Sequence, residues 1–260
     1  MFDPSNYNMV DLSPRMVARI KRIDGTIEEG NADIFGLPWS LVEGNVGTDY
    51  DNTKYTLVGG WKDDDVWPWG MSGHFGSHTE GGKGHIDHWS GIPDDMLGLW
   101  EYPLETFIGE AVVCDVSSVT PVEGENEKGE KAMIGQPITP DHLDNVKSGD
   151  IVLMYGPDAN DFRDEAQPVL PAETAQWLAQ KKIKMLAIQM PGVAWETNPQ
   201  APEPNNSPTH RAMLCNNIPI TYPLVNVSKL KQERVMYIGM PLSVERLDGC
   251  WIRAIALEDK

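Results

Sequence analysis

The sequence predicts an α/β fold in which a mixed sheet carries few helices, folded as a single domain over residues 1–260. Three observations carry this prediction. At 260 residues the chain can bury a large core and still lies within the range of one domain. Its middle runs strand, helix, strand, the order of an α/β unit. Its last third returns to short segments in which apolar and polar residues partly alternate, as strands do.

Taken in order, the first third is rich in Gly, Trp and Asp, with "LVGGWKDDDVWPWGMSG" at 57–73 and no sustained helical period, so it reads as short strands and ordered loops. "EAVVCDV" (110–116) and "GDIVLMY" (149–155) are β-branched apolar runs bounded by turn residues, the pattern of buried strands. Between them "TPVEGENEKGEKAMIGQP" is charged and reads as a surface excursion. "PAETAQWLAQKKI" (171–183) opens on Pro and sets Ala175, Leu178, Ala179 and Ile183 at helical spacing, and "KMLAIQM" follows as a strand. "WETNPQAPEPNNSPTH" (195–210) carries four prolines, so it is a loop: a lid, an arm towards a neighbouring subunit, or a plain surface connection. "RAMLCNN" after it is short and helix-like. "RVMYIGMPLSVE" and "CWIRAIALE" supply the late strands.

Composition excludes several function classes. Lys plus Arg number 21 against 39 Asp plus Glu, a net charge of −18, which repels polyanions and argues against nucleic acid as a partner. No stretch approaches the roughly 20 apolar residues of a membrane span, and the start lacks the basic and apolar regions of an export signal. Three widely spaced cysteines, Cys114, Cys215 and Cys250, fit reduced thiols. The expectation is a cytoplasmic protein with neither membrane nor nucleic acid as partner.

Chemistry concentrates in "SGHFGSHTEGGKGHIDHW" (72–89), which holds four of the six histidines. His74, Gly76, His78 and Glu80 share parity, so on an extended chain their side chains project to one side. Two imidazoles and a carboxylate would converge there, and Gly76 would leave space between them. Two His and one carboxylate with open positions suit a catalytic divalent ion, whereas a structural site is more often closed by four protein ligands. An exposed His-rich loop that binds nothing is the competing reading. His85 and His88 are either further ligands or residues outside the ligand set. His210 stands alone at the end of the Pro-rich segment, and a lone His is more often structural than catalytic. His142 in "TPDHLDNV" looks like a helix-start residue. Trp61, Trp67, Trp69, Phe75, Trp89 and Trp100 crowd the motif, where they line a pocket for a flat molecule or build core. Lys83 and Arg211 are either binders of a substrate carboxylate or surface charges.

Several segments together resemble the cyclase or kynurenine formamidase-like metal-dependent hydrolases, isatin hydrolase-like members included. That family's HxGTHxDxPxH is matched by "HFGSHTEGGKGH" at His74, Gly76, Ser77 and His78, with Glu80 in place of the Asp. "VDLSP", "ITPDHLDNVKSGDIVLM", "IKMLAIQMPG", "HRAMLCNNIPI" and the C-terminal strands follow in the family's order, so the resemblance spans most of residues 10–258. It implies the family's swivelling β/β/α fold, a homodimer or homotetramer, and hydrolysis of amide, cyclic amide or lactone bonds at a divalent metal, Mn or Zn. It implies His74, His78 and Glu80 as ligands, and His210 falls where the family's general acid/base His lies.

The departures bear on mechanism. The family's last motif His falls at Gly84, with His85 one place late, and on a strand such a shift turns a side chain to the other face. Gly82 stands where the family has Pro, which frees the loop enough to keep His85 as a candidate ligand. The family's catalytic Glu falls at Tyr222, and loss of both positions points to one metal ion. The implied scheme has His74, His78 and Glu80 hold an ion that activates water against a carbonyl carbon of a small molecule, with His210 moving the proton to the leaving atom. Tyr222 would donate to an oxyanion, orient His210, or simply pack beneath the helix. A silent relative that keeps only the metal, and a lyase or cyclase using the same site, are the rivals.

Overall fold

The computed structural model describes residues 3–17, 19–28, 39–43, 55–59, 73–74, 76–126, 128–159, 164–196 and 201–260. Strand β1 (Tyr7–Asp11) leads into a four-stranded sheet of β2 (Arg19–Lys21), β3 (Ile27–Glu28), β4 (Trp39–Glu43) and β5 (Tyr55–Gly59). Then come β6 (His78–Glu80), β7 (Ile108–Asp115), the pair β8 (Val122–Glu125) and β9 (Lys131–Ile134), β10 (Ile151–Tyr155), β11 (Met185–Gln189), β12 (Ile220–Leu224), β13 (Arg234–Ile238), β14 (Gly249–Trp251) and β15 (Ile255–Asp259). Two α-helices, α1 (Ala172–Gln180) and α2 (Pro208–Leu214), interrupt the described strands. The main sheet runs β1-β15-β13-β7-β10-β11-β12-β6-β14, parallel through β7, β10, β11 and β12 and antiparallel outside them.

The parallel strands are the near-continuous apolar runs, because a strand covered on both faces has no polar side to alternate with. Val112, Cys114, Val152, Met154, Leu186, Ile188 and Ile220 point to one face, where they pack with Ala175, Leu178, Ala212 and Met213 of the helices. Ala111, Ile151, Leu153, Met185 and Ala187 point to the other, against Leu12, Phe107, Val235, Tyr237 and Ala256. Helix α1 joins β10 to β11 and α2 joins β11 to β12, so both helices sit where parallel strands require crossovers. The expected spacing on α1 holds: Ala175, Leu178 and Ala179 are buried, and Ile183 is buried just past its end.

The 120–137 excursion differs from expectation by containing the β8–β9 hairpin. Its turn supplies the reason: the Asn126 side chain accepts from the N–H groups of Lys128 and Glu130, and Gly129 takes φ +75°. Trp61, Trp67, Trp69 and Phe75 lie outside the described residues. No helix among the described residues is long and apolar enough to cross a membrane.

Register decides where the candidate site lies. In the β12–β6 ladder Ile220 pairs with Glu80 and Tyr222 with His78, and Ile220 belongs to the helix-covered face. His78, Glu80 and Tyr222 therefore point towards the helices, near the end of the sheet. Thr79 and Thr221 point the opposite way and satisfy each other at 2.8 Å.

Candidate metal centre

Glu80 is the centre of the site, a carboxylate with no exposed surface. Its Oε1 accepts the Tyr222 hydroxyl at 2.6 Å and lies 2.8 Å from His74 Nδ1 and 3.4 Å from His78 Nε2. Its Oε2 faces His210 Nε2 at 3.2 Å and His85 Nε2 at 3.9 Å without an aligned hydrogen bond to either. Four imidazoles thus surround one buried carboxylate. Ligand atoms of His74, Glu80 and His85 all lie within 4.8 Å of one another, and His78 adjoins the group through Glu80.

The local backbone explains each placement, and it corrects the shared-parity argument. Among the described residues of this stretch only His78–Glu80 form a strand, so parity aligns those two alone. His74 arrives from a turn, and Gly76 sits at φ +58°, outside the extended region. A Cβ on Gly76 would touch the Met16 side chain at 3.4 Å, so the glycine faces Met16 and serves the turn. Its carbonyl accepts from His78 Nδ1 at 2.8 Å. That bond places a proton on Nδ1, since the carbonyl can only accept, and turns Nε2 towards Glu80.

His85 also reaches the site, which the strand-face argument disfavoured. Residues 81–91 form turns, and Gly84 takes φ +84°, so a one-residue shift is absorbed by the turn. His88 is exposed and stacks edge-on with Trp89, away from Glu80. His210 occupies the first turn of α2, where the Glu196 carboxylate accepts from the His210 N–H at 3.2 Å and contacts His210 Nδ1. Glu196 thereby meets the open N–H groups of the helix start and fixes the His210 ring.

Charge follows this geometry. Burial disfavours a charged His74, but its hydrogen bonds to Asp248 (Nε2 to Oδ2, 2.7 Å) and Glu80 outweigh that and raise its pKa to about 10. His210 follows the same logic: Glu196 and Glu80 overcome burial and raise it to about 9. Burial pushes His85 down to about 4, reinforced by its cationic neighbours, which leaves a neutral imidazole. Burial would raise Glu80, but His210, His74 and His78 hold it well below the carboxylate range. Burial and the Glu80 charge push the Tyr222 phenol well above its ordinary value.

The donor set fits a divalent cation. His78 Nε2 and Glu80 Oε2 are buried polar atoms without hydrogen-bond partners, a costly arrangement that an ion between imidazole and carboxylate would relieve.

Around these groups stand Trp195, 5.0 Å from the His210 ring and 4.6 Å from Tyr222, and Trp89, 6.3 Å from His210. Trp100 instead folds over Gly98. The two cations proposed for a substrate carboxylate are committed elsewhere. Lys83 pairs with Glu101 at 2.8 Å, and Arg211 donates to Asn206 and to the Ser90 carbonyl. Tyr222 spends its proton on Glu80, so the hydroxyl neither orients His210 nor merely packs under the helix.

Residues 10–194 match the family described as "Putative cyclase". The chain belongs to the cyclase family. A kynurenine formamidase from Erythrobacter litoralis (strain HTCC2594) is 26% identical over 191 residues, covering 72% of this chain and 74% of that protein. Among solved structures, isatin hydrolase A from Labrenzia aggregata bound to benzyl benzoate superposes at TM-score 0.64 and 17% identity, over 98% of this chain and 95% of that one. Isatin hydrolase A from Ralstonia solanacearum gives TM-score 0.63 at 19% identity, over 98% and 93%. The expected mixed-sheet α/β fold of the cyclase family is the fold observed.

In this cyclase-family chain two site residues escaped the sequence reading: Glu196 and Asp248. Glu196 follows the C-terminal end of a parallel strand, the usual edge for ligands in α/β sheets, and that position was the available signal. Asp248 sits in an Asp-Gly turn before β14, a signal for a turn but not for a site.

Proposed function

We propose that this protein is a metal-dependent hydrolase that cleaves the amide C–N bond of a small cyclic or aryl amide, or a lactone, with one Mn or Zn ion held by His74, His78, Glu80 and His85. The observation that carries it is the buried Glu80 carboxylate ringed by four imidazoles, with His78 Nε2 and Glu80 Oε2 unpartnered. A formamidase and isatin hydrolases among its relatives support amide hydrolysis. A divalent ion bound there supplies Lewis-acid polarisation of a carbonyl and lowers the pKa of water.

The chain's own residues do the rest. His210, held at Nδ1 by Glu196, turns Nε2 inward and moves a proton at that atom to the leaving nitrogen or oxygen. Tyr222 fixes Glu80 by donating to Oε1. Trp89 and Trp195 beside His210 supply flat apolar surface, which favours an aromatic or cyclic substrate over a polymer. The reading includes a homodimer or homotetramer in the cytoplasm, supported for the compartment by three free cysteines.

The test is a panel of N-formyl and N-acyl aryl amides, imides and lactones, assayed with and without chelator and with Mn or Zn restored. His78→Ala should lose metal and turnover together, and His210→Ala should keep metal and lose turnover. Full metal content in His78→Ala would refute the ligand assignment. Bound metal without turnover across the panel would instead make the protein a silent relative.

A further inference from the structure

We infer that Asp248 is a positioning residue for the metal centre: it holds His74 by Nε2 so that Nδ1 is the nitrogen offered to the ion. The inference rests on the metal reading above and adds a residue outside the 10–194 family match.

Asp248 stands between β13 and β14, remote in sequence from the histidine motif, yet its loop is built against that motif. β14 pairs with β6, Gly249 opposite Glu80 and Trp251 opposite His78. Backbone approaches tighten this contact to distances only glycine permits. A Cβ on Gly73 would lie 2.0 Å from the Gly249 carbonyl oxygen, and one on Gly84 would lie 2.9 Å from that of Arg246. A Cβ on Gly249 would lie 3.3 Å from His74 Nε2, so the imidazole rests on bare backbone there. Three glycines thus bring the turns bearing His74 and His85 onto the loop bearing Asp248.

The carboxylate is itself held. Oδ1 accepts the Gly249 N–H at 2.9 Å, which leaves Oδ2 to accept from His74 Nε2 at 2.7 Å. With Nε2–H committed to Asp248, the remaining nitrogen of His74 faces Glu80 Oε1 at 2.8 Å. His78 is set the opposite way, its Nδ1–H on the Gly76 carbonyl and its Nε2 inward. His74 and His78 therefore each have the outward N–H tied to an oxygen acceptor, the arrangement by which outer groups fix ring orientation and tautomer. Asp248 Oδ2 also lies 4.0 Å from His85 Nδ1, so the same oxygen faces both flanking histidines.

The experiment measures Zn(II) affinity of the full-length metal-stripped protein by competition with a chromophoric chelator, for wild type, Asp248→Ala and Asp248→Asn. Long-range 1H–15N spectra of the zinc-loaded wild type assign the His74 proton. Asp248→Ala should weaken zinc binding by about 10- to 100-fold. Asp248→Asn keeps an oxygen acceptor and should stay within about 5-fold of wild type, since outer partners act through orientation. The spectra should place the His74 proton on Nε2. An unchanged affinity in Asp248→Ala, an equal loss in Asp248→Asn, or a proton on His74 Nδ1 would each overturn the inference. Wild type that binds no zinc would overturn the metal reading itself, and this inference with it.

Discussion

Raising the pH should tighten divalent-cation binding to the metal-stripped protein by at least about ten-fold per pH unit between pH 7 and 9. The magnitude comes from the protons the site already holds. With a pKa of about 10, His74 at pH 7 is protonated by roughly 1,000 to 1, a preference of about 4 kcal/mol that an ion must overcome at Nδ1. Glu80 contributes no proton, since its pKa is held far below neutrality, and His85, at about 4, is already neutral. His74 therefore sets a minimum of one proton released per ion. His210, at about 9, adds up to one more as the ion takes over Glu80, while Glu196 works to retain that proton. Release of protons on binding means affinity rises with pH. Zinc competition titrations at pH 7, 8 and 9, repeated in two buffers of different ionisation enthalpy, give the slope and the proton count independently. A count below one half would refute the charge assignment at His74.

Tyr222→Phe removes a hydrogen bond to a buried charged acceptor and should cost about 1.5–3 kcal/mol in denaturant unfolding, with metal content unchanged. Gly84→Ala forces φ +84° on a residue with a Cβ that lies 2.9 Å from the Arg246 carbonyl oxygen. Unfolding measurements should show a loss of about 1–3 kcal/mol, with weaker zinc binding as His85 is displaced. In chelator, the carboxylates around His74 and His210 raise their folded pKa values to about 10 and about 9, above the ordinary histidine value of about 6.5. Their contribution to stability is thus complete below about pH 6.5 and lost as pH rises through 9 to 10, so urea midpoints should fall there in the metal-free protein and hold in the zinc-loaded one.

Much of the fold was legible because its central strands are buried on both faces and leave unbroken apolar runs, as at Ile151–Tyr155 and Met185–Gln189. The α1 pattern was equally direct, since Ala175, Leu178 and Ala179 mark one helical face. The site was legible as residue types and less so as geometry. Parity reasoning suits a strand, and among the described residues of the histidine motif only His78 to Glu80 form one. On either side, positive φ at Gly76 and Gly84 sets directions that no alternation rule describes. Alternation alone would turn His85 away from a centre that it reaches, and only the freedom of the glycines beside it kept it a candidate ligand. Glu196 and Asp248 were harder to read for another reason: they enter through tertiary contacts of segments remote from the histidine motif, and only the place of Glu196 beyond a parallel strand marks either of them.

Those two carboxylates complete a charge pattern with a physical consequence. Glu80 is too deeply buried to keep its charge alone, because an uncompensated carboxylate without solvent is expensive. Protons on His74 and His210 supply two positive charges in the metal-free site, and Asp248 and Glu196 hold the outer nitrogens of those same rings. One divalent cation carries the same charge. Exchanging two protons for one ion leaves Glu80 compensated in both states, so the same side chains can hold the site together before and after loading. Losing only one proton on loading would leave the centre more positive by one charge, which the single buried carboxylate cannot balance. The outer carboxylates would then carry the difference, Asp248 at His74 and Glu196 at His210. The proton count thus reports how the chain divides charge between its buried and its peripheral acids.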